Sequence, residues 1–289
     1  MSNDRLPESL EIDVLPTERL VEIIQNEDRK VAEAVARESK QIARAIDAIA
    51  ERLEAGGHLF YVGAGTSGRL AMVDASEVPP TYGVPRDLVR VIMAGGTSAF
   101  FSAAEGAEDN DEAAIAEVEK LVKPEDAVVG IAASGSTPFT VAAIRKANLL
   151  GALTVGITSV SGSALTRECD IPIVPVTGPE VILGSTRMKS GTAQKLVLNT
   201  ISTGVMIRLG KVFSNLMVEM PATNIKLRGR AVLMVQLASG ADRATAETAF
   251  TASGSNVKIA TVMAKLGVGR EEAERRLAEA GGRLRKVLG

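Results

Sequence analysis

Two short segments of this 289-residue chain place glycine and small hydroxyl residues directly after apolar runs. The first, Gly63-Ala64-Gly65-Thr66-Ser67-Gly68, follows the run HLFYVG (58–63). The second, Ala133-Ser134-Gly135-Ser136-Thr137-Pro138, follows AVVGIAA (127–133). A segment of this kind that opens a helix offers unpaired backbone N–H groups, hydroxyls and the positive end of the helix dipole. Together these favour a phosphate. Pro138 suits the first position of a helix. Either segment alone reads equally well as a tight strand–helix turn with a hydroxyl cap. The pair, on successive crossovers of one sheet, favours a ligand site. A third segment (184–192) carries Ser185, Thr186, Arg187 and Lys189 at the start of a long helical pattern. Ser185 reads as a helix cap, and Arg187 and Lys189 read as cations for an anionic ligand or as solvated side chains.

The kind of phosphate is narrowed by what is missing. Gly63, Gly65 and Gly68 spell G-x-G-x-x-G. Yet the following strand ends in Met93-Ala94-Gly95-Gly96, with no acidic residue for a dinucleotide ribose. No G-x-x-x-x-G-K-[ST] pattern is present for a nucleoside triphosphate. A phosphorylated sugar, with hydroxyls to match Ser and Thr, fits better. Two carboxylate regions could move protons for it. Glu77, in Asp74-Ala75-Ser76-Glu77-Val78-Pro79-Pro80, is expected at the end of the helix after the first segment. The negative helix end and partial burial there would favour the protonated form that a general acid needs. By spacing alone an exposed glutamate at a helix end is the preferred reading. The acidic run 105–112 contains Glu105, Glu108, Asp109, Asp111 and Glu112, with Asp109 or Asn110 as a helix cap. Spacing does not choose one catalytic member from it.

The elements that must hold these residues alternate in type. Apolar strand patterns at 58–63, 88–94, 127–133, 152–158 and 171–176 alternate with helical ones at 69–76, 98–122 and 138–150. That order predicts an α/β fold with a parallel sheet covered by helices on both faces. Before it, Thr17 reads as an N-cap, and one apolar stripe predicts a long helix over 28–55, stopped by Gly56-Gly57. After it come helices over 186–209 and 224–237, then three short ones at 242–252, 257–266 and 270–280. The expected organisation is an N-terminal helical segment (1–55), a sugar-phosphate-binding domain (56–223) and a C-terminal helical unit (224–289) ending in a small three-helix group.

Composition removes several classes of function. Cys169 and His58 are single, so they form neither a disulfide nor a Cys/His zinc cluster. His58 precedes the first strand, which puts it at the sheet edge opposite the loops. Aromatics make up 3% with no Trp and the net charge is -2, which leaves no basic, base-stacking surface for nucleic acid. No apolar run approaches the roughly 18 residues that span a membrane. The opening MSNDRLPESLEIDVLP lacks the basic-then-apolar pattern of a signal peptide, so a cytoplasmic protein is expected.

Four motifs carry a family resemblance. VGAGTSGRLAMVDASEVPPTYGVP (62–85), AAEGAED (103–109), GPEVILGSTRMKSGTAQKLVLNTISTG (178–204) and NLMVEMPATNIKLRGRAV (215–232) resemble the N-acetylmuramic acid 6-phosphate etherases. That family lies in the sugar isomerase (SIS) domain superfamily. The resemblance implies cleavage of the D-lactyl ether of a phosphorylated amino sugar in cell-wall sugar recycling, in a homodimer with no metal or organic cofactor. It implies Glu77 as the acid for the lactate oxygen and Glu108 as the base at C2. The chain departs from the family pattern at Ser136, where Arg is usual, and at Leu183, where a smaller or polar residue is expected. Competing readings are a sugar-phosphate isomerase on the same fold and a non-catalytic sugar-phosphate sensor.

Overall fold

The computed structural model describes residues 5–102 and 104–289. Ala103, within the AAEGAED motif, lies outside the described residues. The chain divides into two compact units, one formed by 1–75 and 86–205 and the other by 76–85 and 206–289. The division expected at 224 thus compares with one inside a long helix, and a short stretch around Glu77 belongs to the second unit.

The first unit opens with helices α1 (Thr17–Arg37) and α2 (Ser39–Glu54). The single stripe that predicts one helix over 28–55 is broken at Glu38, and Pro16, not Thr17, caps α1. At that break the Glu38 carboxylate accepts the Val174 N–H at 3.0 Å, just after the last strand. Five strands follow: β1 (Leu59–Gly63), β2 (Val89–Met93), β3 (Ala127–Ile131), β4 (Leu153–Ile157) and β5 (Ile171–Ile173). They form one parallel sheet in the order β2-β1-β3-β4-β5. Between them run α3 (Gly65–Tyr82), α4 (Asp111–Leu121), α5 (Pro138–Leu149) and α6 (Ala164–Glu168). The short α6 has no counterpart in the sequence reading. The expected α/β fold is therefore present.

Strand alternation explains the layers. Phe60 and Val62 of β1 and Val128 of β3 join a core with Val118 of α4 and Phe139 and Ile144 of α5. Tyr61 points to the other face, where its hydroxyl donates to Asp74 of α3 at 2.9 Å. Asp74 also accepts from Asn199 Nδ2 at 2.6 Å and Ser202 Oγ at 3.0 Å, both on α7 (Lys189–Arg208). Burial first, and the Asp74 charge beside it, push the Tyr61 phenol well above its ordinary pKa, so it remains a donor. Asp74 is thus the pin between β1, α3 and α7. Asp74→Ala would strand three donors in the interior and is expected to lower unfolding free energy by about 2–4 kcal/mol. Urea midpoints would check this, with Asp74→Asn expected to lose less.

Helix α3 corrects one expectation. It is predicted to end near Ser76, and Pro79 and Pro80, which cannot donate to the helical ladder, lie just beyond. The helix nevertheless continues to Tyr82. It ends at Gly83, whose φ of +62° suits a C-terminal stop, with its N–H on the Pro79 carbonyl at 2.9 Å. The proline ring's fixed φ is itself compatible with the helix.

The second unit packs α8 (Ile225–Ser239), α9 (Arg243–Ala252), α10 (Val257–Leu266), α11 (Arg270–Glu279) and α12 (Leu284–Leu288) around Phe250, Val235 and Ala260. Asn224, Asp242 and Asn256 cap three of these helices with their side chains. The three short helical patterns appear as α9, α10 and α11, and α12 adds a fourth short helix after Gly281-Gly282. Among the described residues, no helix is long and apolar enough to cross a membrane.

Candidate active site

The strand order fixes where a ligand belongs. Chain direction across the sheet reverses between β1 and β3, and in such sheets the crevice outside the carboxyl ends at that point takes the ligand. β1 and β3 pair in register, with Gly63 opposite Ile131, so the two Gly/Ser/Thr segments leave the sheet side by side.

Between them lies a crevice of about 270 Å³, lined by Ala64, Gly65, Thr66, Ser67, Glu108, Ile131, Ala132, Ala133, Ser134, Thr137 and Thr186. Residues from all three sequence segments and one member of the acidic run therefore meet on one cavity. Only Ala64 separates β1 from α3, so the first-turn N–H groups of α3 open at the crevice. Thr137 makes no side-chain cap on α5, leaving its hydroxyl to the cavity. No Lys or Arg is among these lining residues. An anion here would meet hydroxyls and helix N-termini rather than a side-chain cation.

Other predicted residues serve the scaffold. Gly63 and Gly68 let β1 and α3 touch: a Cβ on Gly63 would come within 2.9 Å of the Gly68 nitrogen, and one on Gly68 within 2.8 Å of the Gly63 carbonyl. The Ser67 hydroxyl donates to Gln194 at 2.9 Å. Gly135, with φ +65°, sits against Ser163 and Thr158, and a Cβ would fall 2.2 Å from the Ser163 hydroxyl. Ser136 is exposed at the tip of its loop, bonded to Ser134.

The third segment departs most from expectation. Helix α7 starts at Lys189, and Ser185 does not cap it. The cap is the Glu180 carboxylate, which accepts the N–H groups of Lys189 and Ser190 at 3.0 Å each. Lys189 is 1% exposed, and its ammonium pairs with Glu27 of α1 at 2.6 Å instead of standing free beside a ligand. No sequence signal pointed to Glu27, Glu180 or Gln194 in these roles.

The carboxylates separate in environment. Glu108 is the middle residue of a 3-10 turn, Ala107–Asp109, entered through Gly106 in the left-handed region (φ 69°) and left through Asn110, whose side chain caps α4. Glu77 is exposed, as its spacing favours, on the stretch of α3 in the second unit, but within the helix and not at its end. His58 stands at the start of β1, on the opposite sheet edge from the crevice, with its backbone N–H on Asp126 at 2.7 Å.

Comparison with known proteins follows this geometry. The glucokinase regulatory protein N-terminal SIS domain model matches residues 41–148, and the SIS domain model matches 107–203. The N-acetylmuramic acid 6-phosphate etherase of Symbiobacterium thermophilum is 58% identical over 268 residues, covering 93% of this chain and 89% of its own. The same-named protein of Rubrobacter xylanophilus is 51% identical over 286 residues, covering 99% and 94%. Among solved structures, a phosphoheptose isomerase from Neisseria gonorrhoeae shares the fold. Its TM-score is 0.51 at 19% identity, covering 65% of this chain and 97% of that one.

Proposed function

The chain belongs to the N-acetylmuramic acid 6-phosphate etherase family, and from that premise we propose that it cleaves the D-lactyl ether of N-acetylmuramic acid 6-phosphate. The products are D-lactate and N-acetylglucosamine 6-phosphate, with water taken up. The observation that carries the reading is the crevice that brings Glu108 beside the hydroxyl-lined segments after β1 and β3. In this reading Ser134, Thr137, Thr66, Thr186 and the helix N-termini of α3 and α5 hold the phosphorylated sugar. Gly63, Gly65, Gly68, Gly135 and Ser67 shape the loops, and Lys189 is held in its buried pair with Glu27.

The chemistry follows from the substrate. Ring opening exposes an aldehyde at C1, which acidifies the proton on C2. Glu108 takes that proton, leaving an enolate, whose electron pair then forms the C2–C3 double bond as the C3–O bond to lactate breaks. Glu77 gives the departing oxygen its proton. Water then adds at C3 of the unsaturated aldehyde, giving one proton to the Glu77 carboxylate as Glu108 returns the proton it holds to C2, so both carboxyl groups regain their starting states. Each proton transfer contributes about 10²–10⁴-fold. The active form in this reading is a cytoplasmic homodimer. His58, at the opposite sheet edge, offers nothing to an isomerase reading.

The test is to incubate the purified protein with N-acetylmuramic acid 6-phosphate in ¹⁸O-labelled water. The expected result is D-lactate release with the label on the sugar's C3 hydroxyl and none on lactate. A folded protein that binds the sugar phosphate but releases no lactate would end this reading in favour of a sensor. Label in the lactate would end the elimination route.

A further inference from the structure

The segment that carries Glu108 has little regular structure of its own. Between β2 and α4 its described residues make two 3-10 turns, Thr97–Phe100 and Ala107–Asp109. Contacts within the segment, with α3 and, at the Ala107–Asp109 turn, with α5 help to hold it. One lies at Gly95, with φ +81°, where a Cβ would come within 2.5 Å of the Ala104 methyl and 3.1 Å of the Ala99 methyl. Only a glycine there lets the segment fold back on itself.

A further contact is made by Arg69, in the first turns of α3. Its Nε donates to the Phe100 carbonyl at 3.0 Å and its Nη2 to the Ala99 carbonyl at 2.9 Å. A planar guanidinium can hold two consecutive carbonyls at once, which an ammonium cannot do with the same geometry. Arg69 and Glu108 also line one hollow of about 230 Å³, which shares Ala64 and Gly65 with the crevice. Arg69 itself is not on the crevice wall.

We infer that Arg69 is a positioning residue for Glu108: it clamps the 97–100 turn to α3 and so sets the depth at which the carboxylate enters the crevice. This rests on the reading of Glu108 as the base at C2. The rival role for a cation beside a sugar-phosphate site is to bind the phosphate, and the two roles differ in kinetics. A lost ligand contact made equally in ground and transition states raises KM, whereas a misplaced base lowers kcat.

The experiment measures D-lactate release and exchange of the C2 proton with D₂O for Arg69→Met, Arg69→Lys, Gly95→Ala, Glu108→Gln and the Arg69→Met/Glu108→Gln double variant. For Arg69→Met and Gly95→Ala, kcat and exchange are expected to fall about 10–100-fold, with KM within about threefold of wild type. Arg69→Lys should recover part of the loss. In the double variant, removing Arg69 should cost nothing beyond Glu108→Gln, because its effect passes through that carboxylate. A raised KM at unchanged kcat would reassign Arg69 to ligand binding. Wild-type kinetics in Arg69→Met, or a further 10-fold loss in the double variant, would overturn the positioning role. If Arg69→Met does not fold, Arg69→Lys and Gly95→Ala decide by the same split. Failure of the underlying reading shows separately, as wild-type exchange in Glu108→Gln alone.

Discussion

Glu108→Gln is expected to lower C2-proton exchange and D-lactate release together, each by about 10²–10⁴-fold. An amide keeps the size and hydrogen-bonding reach of the carboxylate but cannot take a proton. The residue is exposed on its 3-10 turn, so the substitution leaves packing unchanged and the folded fraction should match wild type. Glu77→Gln should behave differently. Without the acid, the lactate oxygen leaves as a poor anion, so D-lactate release falls by a similar factor of about 10²–10⁴. Deprotonation at C2 precedes that step and is served by Glu108, so exchange with D₂O should persist. The contrast assigns the two roles in one experiment. Should both variants lose exchange equally, the roles are not separable as drawn; should Glu108→Gln exchange at the wild-type rate, the base lies elsewhere.

The parts of this molecule that follow from local sequence were legible in it. The five strands fall inside their apolar runs, and the three short C-terminal helices lie within a residue of their patterns. The loop pair was legible because a parallel sheet sends every strand's end to one edge, and Gly/Ser/Thr composition marks which ends meet a polar ligand. What stayed hidden depends on side chains reaching across the fold. Nothing near Ser185 announces that Glu180 will cap α7 from a preceding loop, or that Glu38, at the end of α1, will accept the Val174 N–H. Among the acidic residues at 105–112, charge and spacing are nearly uniform, and the motif resemblance singled out Glu108 before its place on the crevice was known. At α3 the helix runs on past the predicted end near Ser76, through Pro79 and Pro80, to Tyr82.

Lys189→Met is expected to lower stability by about 3–5 kcal/mol near neutral pH, the usual cost of breaking a buried ion pair from one side. The ammonium of Lys189 lies 2.6 Å from a Glu27 oxygen, and both side chains are buried. Burial alone would push the Glu27 carboxyl up, but its bonds to Lys189 and to the more exposed Lys30 outweigh this and hold it below the ordinary range. Methionine fills similar space and leaves Glu27 charged in the interior with Lys30 as its remaining partner. Because the folded value is depressed, the stabilisation is present above the unfolded carboxyl value of about 4.3. It is lost as pH falls through the lower folded value. The gap between wild type and Lys189→Met should therefore narrow below about pH 4. The double variant Glu27→Gln/Lys189→Met should recover much of the loss, since no charge is then left buried without a partner. Guanidinium midpoints at pH 7 and pH 3.5, read with equal m-values, measure all three. A gap under about 1 kcal/mol at pH 7 would place the pair among weak surface-like contacts. A gap that does not change with pH would mean that lost packing, not the stranded carboxylate, sets the cost.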